Sequence, residues 1–515
     1  MALGRTLSVV LAGLDAHIVT VEADLGTGLP NMVWTGLPDT AVRQSENRVK
    51  SAVKSSHEDW PAHRITIGLS PASLRKSGSG FDLPVAVSVL AANDAFDAMS
   101  VRDLVVIGEL GLDGRVHPVT GVLPAVIGAV RRGYLRVVVP RANAGEANLV
   151  PGAEVTAVGS LAELCARLRG EPVDIDDDLP PLVTMPDAPP DLADVVGQGD
   201  ARRAIEVAAA GGHHVFLTGP PGVGKTMLAE RLPGLLPDLG EDQALEVTSI
   251  HSLLGRLPPG RPLLTRPPFC APHRTATVAS LIGGGTGIPA PGTISLAHHG
   301  VLFVDEATEF ERRTLDALRQ PLESGTVTIN RAGGMATYPS RFQLVLACNP
   351  CPCARGGRST DPSNCVCSSV QIRAYRNRVS GPLLDRIDLR ARLAPISRAI
   401  LNAGATGEPS AVVRERVEIA RDRAVRRLRG TPWATNSQVP GPVLRRRFPL
   451  PSEALGSLKV DTDRGQLSSR GVERVMKVAW TIADLAGHDV PDLADVDAAR
   501  ALRYGNEAAA LARSA

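Results

Sequence analysis

At 515 residues the chain is long enough for roughly three domains, and its 43% hydrophobic content supplies ample core, which 3% aromatics require to be rich in Leu, Val and Ala. A net charge of +2 excludes a polycation, so any nucleic-acid contact has to come from local patches. No apolar run reaches the ~18 residues of a membrane span.

Met1–Leu14 faintly resembles a signal peptide but continues into alternating apolar residues at Asp15–Asp24, which predicts a strand hairpin. The seven cysteines are odd in number and four fall within seventeen residues, so they are not a disulfide framework and point to a reducing, cytoplasmic setting. Along residues 1–170, Thr6–Val10, His17–Val21, Arg64–Leu69, Leu104–Gly108 and Arg136–Pro140 read as strands. Asp39–Ser55 reads as one amphipathic helix with Arg43, Arg48, Lys50 and Lys54 outward. Asp82–Ala92 reads as an apolar helix packed between strands, and Gly111-Leu112-Asp113-Gly114 as a hairpin-like turn.

This α/β pattern resembles the Lon-protease-like (ribosomal S5 domain 2-like) domain, in the form found at the head of Mg-chelatase-like ATPases. The resemblance runs through Gly36–Asp39, Ser77–Ala86 and Ile107–Val122. Proteolytic members carry a Ser–Lys dyad. Here the segment that would supply the Ser reads Gly80-Phe81-Asp82, and the Lys position falls near Leu123, although Ser77 and Ser79 lie close by. The resemblance therefore implies no peptidase activity and a collar for assembly or partner docking. Residues 171–190 are acidic and Pro-rich and read as a linker.

A second unit begins at Asp191. Asp200–Ala210 reads as a helix feeding an apolar strand at Val215–Leu217. There follows Gly219-Pro220-Pro221-Gly222-Val223-Gly224-Lys225-Thr226, then a helix over Met227–Leu235. Strand, loop and helix are the setting that G-x-x-x-x-G-K-[ST] requires. The glycines let successive backbone N–H groups converge on a phosphate at a helix N-terminus. Lys225 is placed to reach the β/γ-phosphates and Thr226 to hold Mg²⁺. Val301–Val304 is an apolar strand ending in Asp305-Glu306, which supplies a metal anchor (Asp305) and a group to orient and deprotonate water (Glu306). Arg341–Ala347 is a further apolar strand, ending at Cys348-Asn349.

Four segments make the chain resemble the ComM/YifB-type Mg-chelatase-like AAA+ ATPases over nearly its whole length: Asp191–His214, Ser280–Glu306, Asn349–Cys353 and Ser380–Leu389. The resemblance implies a P-loop α/β/α module over 191–395 and an all-α lid over 396–515. It places Gln198 near adenine, Asn349 as sensor 1 and Arg386 as the finger for a neighbour's γ-phosphate. Sensor 2 falls on Arg470, with Arg474 one turn on as the fallback. It further implies ATP and Mg²⁺ as ligands, a hexameric ring, and DNA branch migration during recombination. The family's R-P-F-R-x-P-H-H run appears here with Cys270 and Arg274 in place of an Arg and a His.

Gly325–Arg341 reads as a hairpin around Ala332-Gly333-Gly334, with Arg331 at the turn where a phosphate contact fits. Cys351, Cys353, Cys365 and Cys367 form two C-x-C pairs eleven residues apart, which suits either a structural Zn²⁺ or redox-active thiols. The His213/His214 and His298/His299 pairs show no carboxylate at ligand spacing and read as strand lead-ins. Residues 411–447 carry ten arginines against three acids, a solvated face or a nucleic-acid patch. Helices at Ser468–Leu485 and Leu493–Leu511 complete the lid. A DNA motor, a protein-remodelling ATPase recruited through the head, and a chelatase subunit all remain open.

Overall fold

The computed structural model describes residues 3–504 apart from 75, 77, 174–188, 259, 286, 332–333, 355–364, 397–406 and 466. Most of the expected linker, Ser77 and the end of the last expected helix lie outside the described residues.

The first unit is a mixed sheet. Leu3–Ala12 (β1) and Asp15–Gly26 (β2) pair antiparallel from Leu3↔Asp24 to Ala12↔Asp15. They are joined through Gly13, whose φ of +71° suits a tight turn. Next come Met32–Thr35 (β3), Arg64–Ser70 (β4), Val105–Val106 (β5), Glu109–Leu110 (β6), Val116–His117 (β7), Arg136–Pro140 (β8) and Glu154–Val158 (β9). The sheet order is β3-β4-β2-β1-β5-β8-β9, with β6 and β7 forming a separate hairpin around the Asp113-Gly114 turn. Helix Asp82–Ala92 is buried at every position, as a helix apolar all round should be.

Four expectations need correction. The helix foreseen over Asp39–Ser55 is two pieces, Thr40–Arg43 and Ser45–Ser55. Ser45 turns its hydroxyl back to the Val42 carbonyl (2.6 Å), and Gln44 lies at the break. Arg48 is not outward: its guanidinium grips the buried Asp82 carboxylate through two hydrogen bonds (2.8 and 3.0 Å). The strand expected over Leu104–Gly108 is only β5, and the one expected from Arg341 starts at Gln343.

The second unit holds Val215–Thr218 (β10), Phe269–Cys270 (β11), Gly283–Gly284 (β12), Ala290–Pro291 (β13), Val301–Val304 (β14), Thr326–Arg331 (β15), Gly334–Pro339 (β16), Gln343–Cys348 (β17) and Leu389–Arg392 (β18). Five of these form an all-parallel sheet, β11-β14-β17-β10-β18. β14 and β17 are continuously buried, as strands covered on both faces must be. Helices Ser410–Arg427, Gly441–Arg447, Ser452–Asp463, Ser469–Ala486 and Leu493–Tyr504 follow. They share one core with the sheet, in which Leu217, Ala420 and Trp480 belong to a single apolar cluster.

The two units are packed together. The Gly121 N–H donates to the Ser252 carbonyl (3.0 Å), and the Ser252 hydroxyl donates to the buried Glu146 carboxylate (2.5 Å). Gly13 abuts Ala336 and Tyr338 of the β15–β16 hairpin. That hairpin alternates buried Val327, Ile329, Ala336 and Tyr338 with exposed Thr328, Met335 and Thr337, so one face is seated and the other is open, while Arg331 is exposed at the tip on the side of Ile329.

Candidate nucleotide-binding site

The carboxyl ends of β10, β14 and β17 converge, and there the chain places its phosphate loop, its two acids and Asn349. In-register pairing sets Thr218 against Cys348 and Val304 against Leu346. A bond from the Gly219 N–H to the Cys348 carbonyl (3.3 Å) then ties the start of the loop to the neighbouring strand. Crevices outside strand carboxyl ends are where open α/β sheets take ligands. Gly219 also leaves room for the chain past β18, since a Cβ there would lie 2.7 Å from the Leu393 carbonyl oxygen.

The Thr226 hydroxyl donates to the Asp305 carboxylate at 2.8 Å. Two hard oxygen donors on adjacent elements fit Mg²⁺, which takes few protein ligands and completes its shell with water and phosphate. Lys225 is 8% exposed. Its ammonium donates to the carbonyls of Gly219 (2.7 Å) and Pro220 (3.0 Å) and to Asn349 Oδ1 (3.1 Å). Burial lowers its pKa, and Asp305 partly offsets that. Gln198 bridges the loop to the end of β18, donating to Ala394 O (2.6 Å) and Val223 O (3.3 Å) and accepting from Ala394 N (3.2 Å). Asp305 Oδ1 accepts the Glu306 N–H (2.8 Å), and Glu306 has a φ of +49°. Its carboxylate is held by Arg274 at 2.9 Å. This partner is the departure noted in the insert, and sequence spacing carried no sign of it.

The remaining expected residues lie elsewhere. Arg386 lines a cavity of about 600 Å³ bounded by His214, Gly300, Gln343 and Asp388. These residues stand at the amino ends of β10, β14, β17 and β18, the opposite edge of the sheet. Arg386 donates to the Pro382 carbonyl (2.6 Å) and pairs with Glu323, not with Asp385 or Asp388. Arg474 and Lys477 line the same cavity. Asp388 is 1% exposed and pairs with Arg474. Burial alone would raise its pKa, but Arg474 and the hydrogen bond from His213 outweigh it and hold the carboxyl well below its ordinary range. Arg470 is exposed on the first turn of its helix.

The histidine reading needs one correction. Glu246 lies within ligand distance of both His298 and His299. However, His298 Nδ1 accepts the Arg341 N–H (3.0 Å), which leaves Nε2–H to donate to Glu246 (3.0 Å). In that tautomer His298 keeps no lone pair for a metal. The four clustered cysteines do converge, within 4.8 Å of one another.

The arginine-rich C-terminal helix is not an open patch. Arg414 pairs with Asp238 and Glu418, Arg416 with Glu206 and Glu408, and Arg427 with Asp484 while lying 4.4 Å over the Trp480 ring. Arg421 donates to the Ala209 carbonyl and Arg423 to the Asp484 carbonyl. These cations tie the helix to Gly199–Gly211, to Asp238 and to Asp484, while Arg426, Arg429 and Arg445–Arg447 are exposed, Arg445 being paired with Glu473. In the first unit, Leu123 is fully buried and Asp82 is committed to Arg48, and no helix among the described residues is long and apolar enough to cross a membrane.

Three family models match in succession: subunit ChlI of Mg-chelatase over residues 21–143, magnesium chelatase subunit ChlI over 191–401, and its C-terminal part over 407–504. An uncharacterized protein of Mycobacterium tuberculosis is 50% identical over 503 residues, covering 98% of this chain and 99% of that one. The uncharacterized protein YifB of Escherichia coli is 40% identical over 481 residues, 93% and 92% of the two chains. Competence protein ComM of Haemophilus influenzae is 39% identical over 510 residues, 98% of each. With this likeness running end to end and a phosphate loop, Thr226–Asp305 pair and Asn349 gathered at one sheet edge, the chain belongs to the ComM/YifB-type branch of the magnesium-chelatase-like AAA+ family.

Proposed function

We propose that the protein is an ATPase that works as a ring, most simply a hexamer, and uses the energy to remodel DNA. The observation that carries the ATPase reading is the contact of Thr226 with Asp305 beside Lys225 and Asn349. Gly219–Thr226 wraps the phosphates through backbone N–H groups. Lys225 exchanges its loop carbonyls for the β/γ-phosphates, and Gln198 closes the base side. Mg²⁺ on Thr226 and Asp305 supplies charge neutralisation at the phosphates. Glu306, released from Arg274, orients and deprotonates the attacking water, while Asn349 hydrogen-bonds that water or the γ-phosphate.

Arg386 stands at the amino edge of the sheet, away from its own phosphate loop, so its guanidinium serves a nucleotide held by a neighbouring copy. Arg470, exposed on its helix, remains the sensor-2 candidate, with Arg474 as the fallback, although Arg474 shares the Arg386 cavity and is engaged by Asp388. The first unit, with Asp82 and Leu123 where a dyad would stand, acts as a docking collar without peptidase activity. The four clustered thiols hold a structural zinc ion.

DNA would meet the tip of the hairpin at Arg331 and the exposed Arg426, Arg429 and Arg445–Arg447. The occupied arginines of Ser410–Arg427 favour a second reading, remodelling of a protein partner brought by the collar. ATP turnover with and without three- and four-way DNA junctions separates them. A rise of roughly tenfold or more on junctions supports the DNA motor, and indifference to any DNA refutes it in favour of the protein partner.

A further inference from the structure

The thiol cluster sits where the nucleotide site ends. β17 is buried throughout and delivers Asn349 to Lys225 (3.1 Å). Two residues later Cys351 is 2% exposed. Its sulfur lies 3.4 Å from that of Cys353 and 3.6 Å from that of Cys365, and Cys353 and Cys365 are 3.8 Å apart. Bonded sulfurs would be about 2.05 Å apart, so these are not disulfides. Four sulfurs at about 2.3 Å from one zinc stand about 3.8 Å from each other in a regular tetrahedron. The three separations, 3.4–3.8 Å, lie close to that figure, and Cys367 completes the set within 4.8 Å of the other three.

The fourth cysteine leads toward the segment that carries Arg386, at the opposite edge of the sheet. Ser368 caps helix Ser369–Arg376, accepting from the Gln371 N–H (3.2 Å), while its own N–H donates to Gln371 Oε1 (2.9 Å). This helix runs into buried Tyr375 and Val379 and then the segment that carries Arg386. The cluster therefore joins the chain leaving Asn349 to the chain approaching Arg386.

We propose that a zinc ion in the Cys351–Cys353–Cys365–Cys367 cluster clamps these two strands of the site, so that ATP turnover depends on zinc although the ion touches no nucleotide. This rests on the ATPase reading above. The ion holds four thiolates that would otherwise repel, fixes the turn after Asn349, and keeps that side chain in line with Lys225. The phosphate loop, anchored by its own strand and helix, does not need the clamp. Zinc loss then costs turnover and spares nucleotide binding.

The test uses the full chain, purified reduced and without chelator. Metal content, binding of a fluorescent ATP analogue and ATP turnover are measured on the wild type and on the Cys365→Ser/Cys367→Ser variant. The expected result is about one zinc per chain in the wild type and none in the variant. Nucleotide affinity should stay within about threefold, while turnover falls roughly tenfold or more. A folded wild type with far less than one zinc overturns the proposal, as does a zinc-free variant with full turnover. Should the variant fail to fold, the wild type refilled with Co²⁺ decides: a tetrahedral thiolate spectrum supports the site, and no cobalt uptake refutes it. A chain that holds zinc but binds no ATP refutes the ATPase reading, and the link to Asn349 with it.

Discussion

The Arg274–Glu306 pair makes a prediction with a definite size. The two groups meet at 2.9 Å with side-chain exposures of 56% and 45%. A pair so open to water contributes about 0.2–1 kcal/mol. If this contact withholds Glu306 from the attacking water, Arg274→Ala removes that restraint and nothing larger. At about 1.4 kcal/mol per factor of ten, basal ATP turnover should rise by no more than about fivefold. The affinity for Mg·ATP should be unchanged, because Arg274 touches neither the loop nor the Thr226–Asp305 pair. The assay is steady-state phosphate release by Arg274→Ala, with the Arg274→Ala/Glu306→Gln double variant as the control that must stay inactive. A fall of tenfold or more at unchanged affinity would refute the reasoning, since Arg274 would then stabilise the transition state.

Lys225→Ala removes a buried ammonium with three acceptors. Charge-assisted bonds contribute about 1.5–3 kcal/mol, so ATP affinity, read by a fluorescent analogue, should fall roughly tenfold to a hundredfold. Arg386→Ala should bind ATP like the wild type and hydrolyse it poorly, and mixing it with Lys225→Ala chains should restore part of the turnover if the guanidinium acts across a subunit boundary. His298 is 1% exposed, and burial lowers its pKa to about 4 from an ordinary 6.5. The unfolded chain therefore takes up a proton below about 6.5 that the folded chain refuses until about 4. Stability falls across that window by up to about 1.4 kcal/mol per pH unit. Glu246, held low by hydrogen bonds from His298 and His299, adds further loss as pH falls through the ordinary carboxylate pKa and below it. Thermal melts between pH 6.5 and 4.5 should show the decline, and His298→Asn should flatten it.

The phosphate loop, the apolar strands before it and before Asp305, and Asn349 at a strand tip were legible in the sequence. Their chemistry lies in short contiguous runs, and burial on both faces writes itself as unbroken apolar stretches. What the sequence hid were long-range pairings. Glu323 reaches Arg386, Glu246 reaches His298 and His299, and Arg274 reaches Glu306, and no local pattern records which carboxylate a cation meets. The arginine-rich helix shows the same limit, since a charge count says nothing about the acids and carbonyls that neutralise it after folding. Arg470 and Arg474 stand one helical turn apart, and nothing in the local sequence signals that Arg474 meets Asp388. The thiols were visible as a cluster, but their convergence next to Asn349 needed the path of β17.

The central claim is that ATP with Mg²⁺ is bound and hydrolysed between the loop at Gly219–Thr226 and the Asp305–Glu306 pair. Phosphate release by the purified full chain, set beside that of Glu306→Gln with ATP binding followed in both, tests it most directly. The account predicts Mg²⁺-dependent turnover in the wild type and, in Glu306→Gln, retained binding with turnover reduced about a hundredfold or more. Equal turnover in both, or no binding of ATP with Mg²⁺ in the wild type, would contradict it.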